Sequence, residues 1–377
     1  MSTNPFIITE KVIPKYFCDR KEETRQLKNL LINGNNVVFI SQRRIGKTAL
    51  IQYCFEQKEL KKEYYLFYID ILSTTNLQEF IFLLGKEIVE SIRPFGRKIV
   101  DNFINTVKSL SGKLGYDPIS GVPTLNFQLG DITQPEYTLK EIFKYLGGAD
   151  KPCIVAIDEF QQVAKYPEKG VEALIRSNIQ QINNCRFIYA GSERHMLEQM
   201  FLSPSRPFYN SCSMMELHVI PKEVYTEFAV KLFKEFHKKV SVDIVEKVYE
   251  MFDGITFYLQ RVFNNIFELT ALKGEANEAM IGMALNNILS GFDTMFRERL
   301  LRLTTKQKEL LFAIAAGGKV EKITSAEFIK SHSLASASAV QTAYKALLNS
   351  DIITKENNLI YIPERLFAIW LKKHYVL

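Results

Sequence analysis

Three short segments concentrate residues able to act on a phosphate anhydride. In NVVFISQRRIGKTALIQYCF an apolar run ends at Ser41, a loop follows through Gln42, Arg43, Arg44 and Ile45, and a helical pattern opens at Gly46, Lys47, Thr48 and Ala49. Backbone N–H groups of such a loop, together with a helix start, surround phosphate oxygens. In that pattern Lys47 reaches the β- and γ-phosphates and the Thr48 hydroxyl ligates Mg²⁺, while Gly46 keeps the cradle uncrowded. Ser41 through Ala49 is therefore the candidate binding segment for ATP and Mg²⁺, with one departure: Ser41 stands where GxxxxGK[ST] begins with glycine. A GKT triplet by itself can precede an ordinary helix. The acidic pair Asp158 and Glu159, closing the apolar run of KPCIVAIDEF, decides for the phosphate site. The first carboxylate suits a magnesium ion and the second suits proton acceptance from an attacking water. In RFIYAGSERHM a third run ends at Ser192, whose small polar side chain can sense or polarise that water.

Phosphoryl transfer spreads charge over the γ-phosphate oxygens, where an arginine supplied late is worth about 10³–10⁵ in rate. Arg43, Arg44, Arg194, Arg206 and Arg261 are the candidates, and Arg206 in SPSRPFYN sits beyond the third run, where it could act on a neighbouring copy. Catalytic candidates are thus Lys47, Glu159, Ser192 and Arg206, and metal candidates Thr48 and Asp158. No NKxD motif that would read a guanine base occurs, and the five histidines have no metal-ligand spacing.

These groups need a scaffold that brings strand ends together. Runs at 36–41, 64–70, 153–157, 186–191 and 214–219 suit strands buried on both faces of a parallel sheet. Helical patterns at 20–33, 47–58, 76–92, 136–146 and 170–182 lie between them, which predicts a doubly wound α/β core over residues 1–218. The Gly/Pro/Ser-rich stretch 93–135 predicts an insertion with one strand at 122–128. Residues 219–302 carry only helical patterns. From residue 303, three helices and two strands joined at Asn357-Asn358 predict a winged helix-turn-helix over 303–377.

Of 377 residues 47% are hydrophobic and 24% charged, a mixture that excludes a disordered, collagenous or disulfide-framed chain. No apolar stretch is long enough to span a bilayer, and the N-terminal residues do not read as a signal peptide. Five scattered cysteines without CxxC spacing point to reduced thiols. A cytoplasmic protein without membrane contact is expected. The net charge is +6, of which residues 303–377 carry +4, from ten Lys/Arg against six Asp/Glu.

Taken together, RRIGKTAL, IDEFQQV and YAGSERHML…SRPFY resemble the archaeal-type ATPases of the STAND branch of the AAA+ superfamily. FCDRKEE resembles that family's F-x-x-R-x-x-E motif, and TKQKELLFAIA…IYIPERLFAIWL its winged helix. The resemblance spans essentially the whole chain. It implies a P-loop core, a helical lid over 219–302 and a winged helix, arranged as a nucleotide-controlled switch, with Asp19 and Arg20 in a loop beside the nucleotide base. The lid motif lacks its usual proline in Gly254-Ile255-Thr256-Phe257-Tyr258-Leu259-Gln260, and Pro363-Glu364 stands in place of Asp-Pro. The function expected is a Mg²⁺-dependent ATPase switch with a protein partner or self-association; the alternative is an ATP-regulated DNA-binding protein. The third winged-domain helix offers Ser336, Ser338, Gln341, Thr342 and Lys345 as exposed positions, one cation among them, which disfavours DNA.

Overall fold

The computed structural model describes residues 4–8, 13–116, 123–125 and 128–376. They form two compact units: one holds the chain up to Leu232 together with Asp253–Gln260, the other Phe233–Phe252 and the chain from Arg261 onward.

In the first unit, α1 (Lys21–Ile32) leads to β1 (Val37–Phe39), followed by α2 (Lys47–Phe55), α3 (Lys58–Glu63), β2 (Tyr65–Asp70) and α4 (Leu77–Ile92). Then come α5 (Arg97–Thr106), β3 (Leu114–Tyr116), β4 (Pro123–Leu125), α6 (Pro135–Gly148), β5 (Cys153–Asp158), α7 (Val171–Gln180), β6 (Cys185–Tyr189), α8 (Arg194–Leu202), β7 (Ser213–Met215) and α9 (Lys222–Glu235), whose last residues belong to the second unit. The five runs that the sequence marks as buried strands form one parallel sheet in the order β2-β5-β6-β1-β7. Successive strand residues serve opposite cores. Val37, Phe39, Ile154 and Ala156 pack with α1 and α2, whereas Val38, Val155, Ile157 and Phe187 pack with α4, α6 and α7. Each such Val, Ile or Phe side chain contributes about 1.5–3 kcal/mol on burial, so both faces of the sheet are closed. The registers Asp70↔Asp158 and Ile157↔Tyr189 align the carboxyl ends of β2, β5 and β6 along one edge. In open α/β sheets that edge is where ligands bind.

The stretch 93–135 is more regular than its composition suggests. It contains α5, whose Val100 and Phe103 stand at helical spacing and are both buried, with Val107 and Leu110 continuing the buried stripe beyond its end. β4 lies inside the strand expected at 122–128 and pairs antiparallel with β3, while positions 122, 126 and 127 fall outside the described residues.

The second unit continues through α10 (Val242–Met251), α11 (Thr256–Leu269), which begins in the first unit, and the long α12 (Glu278–Leu301). A winged helix follows: α13 (Thr305–Gly317), α14 (Ala326–Ser331), α15 (Ala337–Asn349), the ribbon β8 (Thr354–Glu356) and β9 (Leu359–Tyr361), and α16 (Arg365–Tyr375). The ribbon turns at Asn357 and Asn358, both left-handed with φ of 50° and 65°, as a two-residue hairpin requires. Trp370 of α16 is fully buried and donates its indole N–H to Asp293 Oδ1 at 2.9 Å, which anchors the last helix on α12. Among the described residues, no helix is long and apolar enough to cross a membrane.

Candidate nucleotide site

The loop between β1 and α2 is held open by contacts that reach far along the chain. Ser41 keeps a negative φ, whereas Arg44 (66°) and Gly46 (96°) are left-handed. The first glycine of the phosphate-loop pattern is dispensable here because the backbone at that position does not need one. The buried Ser41 hydroxyl instead ties the loop to the far edge of the sheet, where its Oγ accepts the Leu217 backbone N–H at 2.7 Å, just beyond β7. Gly46 stands at the N-cap of α2 with no side-chain cap, which leaves the first backbone N–H groups of that helix for a ligand.

Lys47 is buried, and its ammonium donates to the carbonyls of Ser41 (3.0 Å) and Gln42 (2.8 Å). Burial lowers its pKa from 10.5 to about 8, against the upward pull of Asp158 and Glu159 and aided by the nearby Arg43 charge. Arg43 and Arg44 are exposed, Ile45 is buried, and Gln42 and Ala49 are half-buried. Arg44 engages aromatic partners. Its guanidinium lies over Phe257 and Tyr258 and donates to the Tyr258 hydroxyl, and its carbonyl accepts the Phe257 N–H at 3.1 Å.

The F-x-x-R-x-x-E segment braces this loop. Phe17 stacks on Tyr53 of α2 at 4.3 Å. Arg20, buried, pairs with Glu23 at 2.6 Å and donates to the carbonyls of His218 (2.6 Å) and Ile45 (3.4 Å). Asp19 is exposed beside it. The spacing Arg20…Glu23 is thus an i,i+3 ion pair that aims the guanidinium at the back of the phosphate loop.

Asp158, at the end of β5, is the acidic centre. Its Oδ2 accepts from Thr48 Oγ1 (2.5 Å) and from the Tyr68 hydroxyl (2.8 Å), and its Oδ1 accepts the Glu159 N–H (3.0 Å). Thr48 and Asp158 offer hard oxygen donors next to a helix N-terminus. Among the described residues no group of three His, Cys, Asp or Glu side chains forms a metal cage. That donor set fits Mg²⁺, which keeps several waters and takes one or two protein oxygens together with substrate phosphates.

Glu159 follows with a left-handed φ of 57°, a conformation costing about 1–2 kcal/mol for a residue with a side chain. Its Oε2 accepts from Ser192 Oγ (2.7 Å), from Ser192 N (3.2 Å) and from the Gln161 amide. Gln161 is fully buried, and its Oε1 has no hydrogen-bond partner. A Cβ on Gly191 would meet that oxygen at 2.0 Å, so the glycine after Ala190 makes room for the amide. Lys47, Thr48, Asp158, Glu159 and Ser192 are therefore assembled at the carboxyl edge of the sheet, and sequence reasoning missed two of their neighbours, Tyr68 and Gln161.

The arginines divide differently. Arg206 pairs with Glu172 of α7, and Arg194 with Glu198 (2.8 Å) and Glu216 (3.5 Å). Arg261 belongs to the second unit, where it lies over Phe292.

Comparison with known families supplies the classification. Residues 17–262 match the family described as "ATPase domain predominantly from Archaea". The chain belongs to this archaeal ATPase family. Residues 294–373 match a second family, described as "Probable winged helix domain". An uncharacterised ATP-binding protein of Methanocaldococcus jannaschii is 23% identical over 281 residues, covering 70% of this chain and 74% of that protein. Among solved structures, a Walker-type ATPase of Pyrococcus abyssi is similar with a TM-score of 0.65 at 21% identity, over 98% of this chain and 99% of that one. The ORC2 protein of Aeropyrum pernix, solved as ADPNP–ADP complexes, reaches 0.61 at 14% identity over 97% and 95%. At such identities these structures establish the archaeal ATPase's fold, a P-loop NTPase core with a winged helix.

Proposed function

We propose that this archaeal-family ATPase binds ATP with Mg²⁺, hydrolyses it slowly, and works as a nucleotide-controlled switch of the STAND branch of AAA+. The observation that carries the reading is the contact of Thr48 Oγ1 with Asp158 Oδ2 at 2.5 Å, with the Lys47 ammonium resting on loop carbonyls nearby. A lysine, a hydroxyl and a carboxylate so grouped match what a triphosphate and its metal need.

Lys47 would exchange its two carbonyl acceptors for β- and γ-phosphate oxygens, and the uncapped N–H groups at the start of α2 would take the remaining oxygens. Thr48 and Asp158 would hold Mg²⁺, which when bound neutralises charge on the β- and γ-oxygens. Glu159 would accept the proton of the attacking water, and Ser192, already bonded to the same carboxylate, would orient that water. In the isolated chain Arg20 braces the loop, and Arg206, expected to act on a neighbouring copy, pairs with Glu172 while its side chain stays 37% exposed.

The switch reading is supported by Arg44. Its carbonyl and guanidinium both engage Phe257 and Tyr258, so a phosphate that moves the loop also loads the first turn of α11. For a partner, the exposed face of α15 carries Ser336, Ser338, Gln341, Thr342 and Lys345. Small side chains with a single cation suit close approach of a protein surface, including a second copy, better than duplex DNA.

Lys47→Ala tests the assignment. Isothermal titration should show ATP affinity falling at least about 100-fold, the value of a lost buried charge–phosphate contact, in a protein that remains folded. Unchanged affinity in a folded variant would remove the phosphate site from this loop.

A further inference from the structure

We propose that Tyr68 is a positioning residue for the metal side of the nucleotide site, fixing the Asp158 carboxylate from the neighbouring sheet strand. The assignment rests on the reading of Thr48 and Asp158 as the residues that hold Mg²⁺.

Three donors converge on Asp158. Its Oδ1 is fixed by the Glu159 backbone N–H at 3.0 Å, and its Oδ2 is shared by Thr48 Oγ1 at 2.5 Å and the Tyr68 hydroxyl at 2.8 Å. A hydroxyl has one proton. It also has two lone pairs, so the Thr48 oxygen can ligate a cation while its proton stays on Asp158 Oδ2, and that carboxylate oxygen is braced from two different elements, α2 and β2. The Tyr68 donor is the side-chain bond from outside the phosphate loop and its helix that keeps Oδ2 from rotating, with the Glu159 N–H guarding the other oxygen.

Tyr68 is well placed to do this. It lies in β2, the strand paired with β5, at the register position opposite Ala156, two residues before the Asp70↔Asp158 pair. Its side chain is half-buried and packs with the core that contains Ala156 and the start of α2, so the ring is supported along its length and only the hydroxyl reaches the carboxylate. The donor therefore comes from a rigid sheet strand, not from the loop that must rearrange around phosphate. Partners of this kind, which orient a metal-holding side chain without touching the metal, are worth about 10–100-fold in metal affinity.

Tyr68→Phe removes the donor and keeps the ring. ATP is titrated into the full chain twice, once with EDTA and once with saturating Mg²⁺. The expected result is a loss of about 10-fold or more in the Mg²⁺-dependent affinity, with the metal-free affinity changed less than about twofold. In an Asp158→Asn background the same Phe substitution should produce no further Mg²⁺-dependent loss, since the two residues act through one bond. Wild-type Mg²⁺ dependence in Tyr68→Phe would overturn the proposal, as would an equal loss with and without metal, which marks plain packing. A full loss persisting beside Asp158→Asn would overturn it as well. A wild-type chain that binds no ATP under either condition would overturn the nucleotide reading itself, and this assignment with it.

Discussion

The nucleotide site and the winged helix spend their polar side chains in opposite ways. In the winged helix the hydroxyls at helix starts serve their own helices: Thr304, Ser325 and Ser336 accept the N–H groups of Gln307, Phe328 and Ala339, three residues on. In the nucleotide site the partners are remote, Ser41 with Leu217, Thr48 and Tyr68 with Asp158, and Ser192 with Glu159. That site also keeps features which oppose stability: a buried lysine, a left-handed Glu159, and the unpartnered Gln161 Oε1, whose desolvation alone costs about 1–3 kcal/mol. Local rules suffice to start the helices of the winged domain, whereas the nucleotide site is assembled against them.

The comparison breaks most visibly at Glu159. Glu159→Gln keeps the shape and removes the proton acceptor, so turnover should drop by about 10²–10⁴ while Mg²⁺·ATP remains bound. A malachite-green assay beside a binding titration checks this, and wild-type turnover would mean that the base lies elsewhere. No single change in α15 should approach that effect.

A smaller effect concerns the buried cation. The folded-state pKa of Lys47 is depressed to about 8, so burying its charge opposes folding fully below pH 8. The cost fades as pH rises from about 8 toward the unfolded value of 10.5. Lys47→Met should therefore stabilise the nucleotide-free chain at pH 7 by about 1–2 kcal/mol, after the loss of its two carbonyl contacts. The advantage should shrink between pH 8 and 10. Urea unfolding at pH 7 and pH 9.5 measures it, and a variant less stable than wild type at pH 7 would contradict the assigned cost of the buried charge.

The smallest effects sharpen the contrast between two serines. Ser41→Ala leaves the Leu217 N–H without its acceptor in a buried place and should cost about 1–3 kcal/mol together with some ATP affinity. Ser336→Ala removes an exposed N-cap and should cost about 1 kcal/mol with no change in ATP affinity. Thermal melts with and without nucleotide separate the two.

Much of this was legible in the sequence because it is written locally. The five sheet strands follow from short apolar runs, the winged-domain caps from Thr and Ser at helix starts, and the ribbon from two asparagines. The residues Lys47, Thr48, Asp158, Glu159 and Ser192 are marked by motif spacing. What was not legible depends on pairing across the chain. Tyr68 is one of several aromatics in YYLFYID, and only the register of β2 on β5 brings its hydroxyl to Asp158. Gln161 stands beside an identical Gln162, and the left-handed turn at Glu159 decides which of them is buried. The contact of Arg20 with the His218 carbonyl, 198 residues away, has no local signal. α5 was hidden because the Gly, Pro and Ser that follow it dominate the composition of its stretch.

The supports of the phosphate loop carry a consequence for how the protein is made. Arg20 meets His218, Ser41 meets Leu217 and Arg44 meets Tyr258 across 198, 176 and 214 residues of chain. Synthesis proceeds from the N-terminus at about 5–20 residues per second, so the loop emerges from the ribosome roughly ten seconds or more before its last brace. During that interval GKT is present but unsupported. The supports of the loop thus close only once the chain has been made through residue 258.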